Sequence, residues 1–187
     1  ALQTAGKLFA EFENRGHHVT LASRHEHFHR PGLDPKERNY YGSSWDKWYP
    51  DRATVVYLGT LAMGLSLYEA KENVRCRLKD GKWERVSRPA GNILVRHPYY
   101  DDWTSMQDLP SGQLVLRAYA PYSDVSWQKE WTEAKNFRLA AMAKTICDEL
   151  EHAAPKIVEL VAEAARKAEE WRLKCEAEHR EWERQRA

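Results

Sequence analysis

The chain has 187 residues, of which 42% are hydrophobic, and 29 basic side chains balance 28 acidic ones to a net charge of +1. This length suits one domain, and the charge balance argues against a dedicated nucleic-acid binder, which usually carries a basic excess. Three widely spaced cysteines form neither a disulfide framework nor a CxxC zinc pattern, which indicates a reducing compartment. Because no apolar run approaches the ~18 residues of a membrane span, we expect a cytoplasmic protein with no membrane association.

The N-terminal half begins with a helix and continues into strands. Apolar residues at spacings of three and four predict an amphipathic helix over residues 2–15, and alternation predicts a strand over 17–23. Residues 24–50 show no sustained period and are rich in turn-forming residues, so an irregular segment is expected there. Two further strands are predicted over 53–58 and 61–68.

The clearest local signal is a hairpin over residues 74–86. Two alternating runs flank Asp80-Gly81, the pair preferred in a type I′ turn. This turn pairs Lys79 with Lys82, Leu78 with Trp83 and Cys76 with Arg85. Cys76, Leu78 and Trp83 should then form an apolar face, opposite a basic face made of Arg75, Arg77, Lys79 and Lys82 together with Glu84.

The remaining sheet signals lead into a helical C-terminal third. Pro110-Ser111-Gly112 predicts a turn into a strand over 113–119, and Trp127 and Trp131, four residues apart, predict a short helix or turn. Strands joined by short turns and followed by helix predict an α+β fold. We expect an antiparallel sheet packed against an N-terminal and a C-terminal helix, with a long charged C-terminal helical arm.

The C-terminal helix carries apolar residues at alternating spacings of three and four. This apolar stripe consists of Ile157, Val161, Ala164, Ala168, Trp171, Cys175 and Trp182. Pro155 should kink or split the helix, which places the globular domain at 1–154 and the arm at 155–187. Heptad-like spacing predicts a coiled coil and a homodimer, with a solvated helix end as the alternative. The segment 163–187 holds seven acidic and seven basic residues, so it is an improbable nucleic-acid site.

Three histidines, at positions 25, 27 and 29, alternate along the chain. In an extended strand His25, His27 and His29 would share one face, where imidazoles can bind Zn²⁺ or Cu²⁺ if a further ligand is supplied. Glu26, Asp34 or the His17-His18 pair could provide that ligand. The alternative is a histidine-rich surface loop, and we expect no metal here.

Pro50-Asp51 followed by Glu69-Ala70-Lys71 resembles the PD-(D/E)xK signature of metal-dependent nucleases. In that family two carboxylates hold Mg²⁺ and the lysine positions or activates the attacking water. The resemblance implies that Asp51, Glu69 and Lys71 would be catalytic. The order of elements departs from the family, because a hairpin follows the ExK strand where the family has a helix.

The basic face of the hairpin is a candidate nucleic-acid surface. Arg75, Arg77, Lys79 and Lys82 could contact phosphates while nearby aromatic rings stack on bases. The competing interpretation is protection of an exposed strand against edge-to-edge association.

Other enzyme signatures, including GxGxxG, the Walker loop and GxSxG, are absent from the sequence. The runs LGTLAMGLSLYEAKENVRCRLKDGKWERV and DLPSGQLVLRAYAPYSDVSWQKEW, with the tail EEWRLKCEAEHREWERQR, resemble a family of bacterial proteins of unassigned function. The resemblance covers most of the chain from Leu2 onward.

Members of that family are often carried on mobile elements and have an additional N-terminal segment similar to a helix-turn-helix. The resemblance implies a DNA-associated, regulatory context and no catalytic residues. A helix that starts at the first residues is what a chain lacking that segment would show. We therefore expect a non-enzymatic regulatory or interaction module of a bacterial DNA-associated protein that self-associates through its C-terminal helix and needs no cofactor.

Overall fold

The computed structural model describes residues 1–32, 52–79, 81–86, 104–134 and 137–186. Two helices and six strands make up this part of the chain. They are α1 (Leu2–Asn14), β1 (His18–Leu21), β2 (Thr54–Leu58), β3 (Leu61–Lys79), β4 (Lys82–Arg85), β5 (Thr104–Tyr119), β6 (Gln128–Thr132) and α2 (Ala143–Arg186), with short 3₁₀ helices at Arg24–Glu26 and Leu139–Ala141. The predicted α+β class is confirmed, and so is the antiparallel sheet packed against an N-terminal and a C-terminal helix.

All six strands form one antiparallel sheet in the order β1-β2-β3-β5-β6, with β4 also paired to β3. The 19-residue β3 is its centre, since β5 follows one edge of β3 along most of its length. On the other edge, β2 pairs with the first part of β3 and β4 pairs with the last part. The sheet therefore extends well beyond the single strand predicted for residues 61–68.

The hairpin register is confirmed. Lys79 pairs with Lys82, Leu78 with Trp83 and Cys76 with Arg85. Gly81 has φ +75°, the left-handed conformation that the turn requires, while Asp80 lies outside the described residues. The apolar face of the hairpin is buried at Cys76, but Leu78 is exposed and Trp83 is half-buried, so the strands reach past the main core.

The main core lies between one face of the sheet and the two helices. Its fully buried residues come from every layer, and they include Phe12 of α1, Met63 of β3, Leu116 of β5 and Ile146 and Leu150 of α2. The helices cover this face because each places residues three and four apart toward it. The core therefore fixes the direction in which α2 leaves the domain.

The opposite sheet face has a smaller cluster of Ala22, Ala53 and Val55. Beside it, Tyr119 lies across Gly64, its partner in the β3–β5 register. A Cβ at Gly64 would meet the Tyr119 ring at 2.2 Å, and that ring is buried. Glycine at position 64 is therefore required by the aromatic side chain that packs over it.

A bulge replaces the turn predicted at residues 110–112. Pro110 and Gly112 lie inside β5, where the register with β3 shifts between Glu69 and Lys71. Gly112 has φ +78°, and its backbone N–H donates to Glu69 Oε1 at 2.8 Å. The Ser111 hydroxyl donates to the Ala70 carbonyl at 2.7 Å. Side chains thus satisfy backbone groups that the interrupted ladder leaves unpaired.

Residues 128–132 form strand β6, so the short helix or turn predicted around Trp127 and Trp131 is wrong. Positions i and i+4 share one face of a strand as well as one face of a helix, which makes this spacing ambiguous. Pairing with β5 decides the outcome, since Trp131 lies opposite Leu116 and is buried in the core. Its indole N–H donates to Glu149 of α2 at 2.7 Å.

Helix α2 runs without a break through Pro155, so the predicted split does not occur. Proline removes one backbone hydrogen bond and crowds the preceding turn. Here Pro155 faces solvent, while Leu150 and Ile157 on either side are buried in the same core. Burial of both turns holds the helix together across the proline.

A charged network attaches the end of α1 to α2. The Arg15 guanidinium contacts Glu11 at 2.9 Å, Asp148 at 2.6 Å and Glu151 at 3.2 Å, and His17 Nε2 lies 2.9 Å from Glu151. The hydrogen bond with His17, followed by that from Arg15, lowers the pKa of Glu151 below its usual value. Glu151 is thus the common acceptor of both basic groups.

This network makes an acid-stability prediction. A carboxylate whose pKa is lowered by folding stabilises the fold above its unfolded pKa of about 4.3, and the contribution is lost as pH falls through the folded value. We expect Glu151→Gln to lower the unfolding temperature at pH 7 and to approach wild type near pH 3, in thermal melts across that range. Glu159→Gln, an exposed carboxylate of the same helix, is the control; equal deficits for Glu151→Gln at pH 7 and pH 3 would contradict the assignment.

Candidate interaction surface

Helix α2 is 44 residues long, which corresponds to about 66 Å, and its two ends have different surroundings. Its first part contributes Ala143, Ile146, Cys147, Leu150 and Ile157 to the core. From residue 165 to residue 186 every side chain is exposed. We call residues 165–186 the distal segment of α2.

The apolar stripe runs continuously from the core onto the distal segment. Ile157 is fully buried, Val161 packs against the core and Ala164 is half-buried, whereas Trp171 is 66% and Trp182 51% exposed. Ala168 and Cys175, between them, are exposed as well. The self-association prediction therefore fails for Ile157, which is covered by its own chain, and the core extends beyond the expected boundary at residue 154.

Ion pairs along the distal segment and the turn before it keep charged groups beside the stripe. Lys167 pairs with Glu163 at 2.6 Å, in the i,i+4 order expected from the sequence. Arg172 contacts both Glu169 and Glu176, which raises the pKa of its guanidinium above the usual value and lowers the pKa of Glu169. These pairs support a helix whose side chains are all exposed from residue 165 to residue 186.

Both exposed indoles lie under cations of their own helix. The Lys174 ammonium is 5.7 Å from the Trp171 ring centre, and the Arg186 guanidinium is 4.4 Å from the Trp182 ring centre. His179 also stacks on Trp182, with 6.1 Å between ring centres. Each tryptophan therefore presents a broad apolar surface together with a positive charge.

A groove lies where the stripe leaves the domain. It has a volume of about 510 Å³ and is formed by residues 124–126 on one side and the 160–171 stretch of α2 on the other. Val125, Leu160, Ala164 and Ala168 give it an apolar floor, and Asp124 and Glu163 are among its polar lining residues. Asp124 has φ +61°, so the loop turns sharply beside the helix.

The basic hairpin face is present on the surface. Arg75, Arg77 and Lys82 are exposed, and the side chain of Lys79 is outside the described residues. Glu84 lies directly across from Arg77 in the register, which adds an acidic group to the same face. Its use in nucleic-acid binding stays a prediction.

The nuclease residues can be located only in part. Asp51 lies outside the described residues, while Glu69 and Lys71 lie in β3 on either side of the position opposite the β5 bulge. The Glu69 carboxylate accepts the hydrogen bond from Gly112, which gives this residue a structural role in the bulge. Nuclease chemistry requires a second carboxylate beside it, so the catalytic role of these residues stays a prediction.

The histidine segment does not have the geometry predicted for it. Arg24–Glu26 is a 3₁₀ helix capped by Ser23, and His27 has φ +50°, so His25, His27 and His29 do not alternate along a strand. The segment also has the H-E-x-x-H spacing, which the strand interpretation overlooked and which binds zinc on an α-helix. Glu26 instead accepts hydrogen bonds from the Tyr57 hydroxyl and the Ser23 backbone N–H.

In the part of the chain that the structure describes, no group of three or more histidine, cysteine or acidic side chains could hold a metal ion. Burial raises the pKa of the Cys147 thiol to about 12, which makes it a packed side chain with no nucleophilic character at neutral pH. Among the described residues, no helix combines the length and the apolar character needed to cross a membrane. The distal segment of α2 and the groove beside it form the candidate interaction surface.

No family model matches the chain, and no match was found among curated proteins or solved structures.

Proposed function

We propose that the chain is a non-enzymatic interaction module that self-associates through the exposed end of its apolar stripe. The observation that carries this proposal is the exposure of Ala168, Trp171, Cys175 and Trp182 in line with stripe residues that the domain buries. The same spacing that packs α2 onto the sheet continues where no element of the described chain covers it. A second helix would bury this continuation in the same way.

The size of the exposed side chains supports association over simple solvation. A fully buried tryptophan side chain contributes about 150–250 Å², and Trp171 and Trp182 are 66% and 51% exposed, so the four indoles of two copies offer about 350–590 Å². Specific protein interfaces bury about 1,200 Å² or more in total, so the indoles supply about a third to a half of that area and the rest must come from the neighbouring side chains of the two helices and the groove. Ion pairs formed within the helix keep the distal segment folded before it meets a partner.

The wider setting of this module comes from the sequence resemblance. We place it in a cytoplasmic, DNA-associated bacterial regulator, as a homodimer whose twofold axis would suit a symmetric DNA site. Buried, free Cys76 and Cys147 and exposed, free Cys175 suit a reducing compartment.

Light scattering of paired variants tests the proposal. We expect the protein to have twice its monomer mass at micromolar concentration, and Trp171→Ala with Trp182→Ala to weaken the dimer by about 100-fold or more, because two anchors are truncated at each interface half. Leu173→Ala is the matched control, since Leu173 is 50% exposed on the opposite side of the same helix. A monomeric wild type, or equal weakening by the control, would contradict the proposal.

A further inference from the structure

Resting on the proposed self-association, we propose that two copies pair their distal segments antiparallel, and that Trp182 of each copy fills the groove of the other. The twofold axis lies between positions 171 and 175. In this register, the residue numbers of any two stripe residues that face each other add up to 346. Trp171 faces Cys175 of the second copy, and Trp182 faces Ala164.

Side-chain size favours this register. Stripe residues alternate between the two core positions of a heptad, and in an antiparallel pair each position faces the other kind. Trp171 and Trp182 are the only large members of the exposed stripe, and both face a small residue. Ala168 faces Glu178, the polar position at which the apolar spacing is interrupted.

The alternative arrangements pack poorly. A parallel pair would place each stripe residue opposite its own copy. Two Trp171 rings would then force the helices apart, while two Ala168 methyl groups would leave a gap between them. Two Glu178 carboxylates would also face each other and repel. An antiparallel pair shifted by one heptad toward the domain would place Trp182 opposite Ile157, which is fully buried by its own chain. The opposite shift would stack Trp182 on Trp171.

The groove supplies the complement to Trp182. Ala164 lies in its floor between Leu160 and Ala168, and Val125 closes its side, so an indole entering opposite Ala164 meets apolar surface. The Arg186 guanidinium lies over the Trp182 ring and would enter the groove together with it. Asp124 lines the same groove and would meet this cation, whereas the Glu163 carboxylate there is already paired with Lys167 at 2.6 Å.

Charges beside the stripe agree with the same register. Lys167 of one copy lies beside Glu181 of the second, and the symmetry repeats this attraction. Arg172 approaches its own copy near the axis, but Glu169 and Glu176 already hold each guanidinium within its helix. Lys174 also approaches its own copy there, with Glu178 at 3.9 Å. Each of these two self-contacts is therefore offset within its own helix, and the choice between antiparallel and parallel pairing rests on side-chain size.

Disulfide cross-linking tests the orientation in the full-length chain. With Cys175→Ser as background, Ala168→Cys combined with Glu178→Cys should give a covalent dimer on mild oxidation, because these positions face each other. Either change alone should give none, since identical positions are then about 15 Å apart along the axis and a disulfide needs Cα atoms within about 7 Å. Cross-linking by the single variants would indicate parallel pairing and overturn the inference.

Two further measurements complete the test. Ala164→Trp fills the groove, so we expect it to weaken the dimer by about tenfold or more, whereas the exposed Ala165→Trp should not. Equal dimer strength in both would overturn the seating of Trp182 in the groove. If the protein has the mass of a dimer but no cysteine pair forms a disulfide cross-link, the register is wrong and the proposed self-association still holds. If light scattering gives the mass of a monomer, the proposed self-association itself is wrong.

Discussion

Replacing Ile157 with alanine is expected to lower the free energy of unfolding by about 2–5 kcal/mol, the range for truncating a fully buried aliphatic side chain. Ile157 is 0% exposed and belongs to the cluster that joins α2 to the sheet. Urea unfolding measures the change. Val158→Ala is the matched control, because Val158 is the next residue of the same helix and is 52% exposed, so its effect should stay within about 0.5 kcal/mol.

A role for Ile157 in an interface between two chains would give a different result. If Ile157 belonged to an interface between two chains, Ile157→Ala would give a folded protein that unfolds like the control and fails to dimerise. The experiment is best done below the dissociation constant of the dimer, so that coupling between folding and association does not enter the comparison.

Replacing Gly64 with alanine is expected to lower the free energy of unfolding by about 1–3 kcal/mol or more, as overpacked sites do. The new methyl would overlap the Tyr119 ring, with 2.2 Å to two of its carbons, and the ring is too buried to move aside freely. Denaturant unfolding again gives the value. Pairing the change with Tyr119→Leu should recover part of the loss, since the overlapping ring is then absent.

Gly6→Ala is the matched control for this prediction. Gly6 is inside α1, and a Cβ added there would have nothing within 4 Å, so alanine should stabilise the protein by about 0.5–1 kcal/mol through its helix preference. A Gly64→Ala variant as stable as wild type, or a double variant that shows no recovery, would contradict the packing of Tyr119 over Gly64.

Local patterns predicted several elements well. The 3.6-residue period of α1 and the Asp80-Gly81 turn signal each depend on neighbouring residues, and the hairpin register followed from the turn alone. The full length of β3, and with it that of β5, did not follow, because residues 69–73 show no apolar alternation and four of these five residues are charged or polar. Their strand conformation comes from pairing with β5, a partner more than thirty residues away.

The candidate surface was predicted only in part for a related reason. The apolar stripe is visible in the sequence, but periodicity cannot distinguish burial by the same chain from exposure. Ile157 and Trp171 occupy equivalent positions of the stripe. Ile157 is a core residue because the sheet lies beside it, whereas Trp171 is a surface residue because it lies beyond the end of the sheet. The groove depends on residues 124–126 meeting α2 some forty residues later, which no local pattern encodes.

Sedimentation equilibrium of the full-length protein over a wide concentration range tests self-association through the distal segment most directly. We predict a monomer–dimer equilibrium for wild type and for Leu173→Ala, and a monomer at the same concentrations for Trp171→Ala with Trp182→Ala. A single monomeric species for wild type at every concentration, or a dimer that survives loss of both tryptophans, would contradict the account.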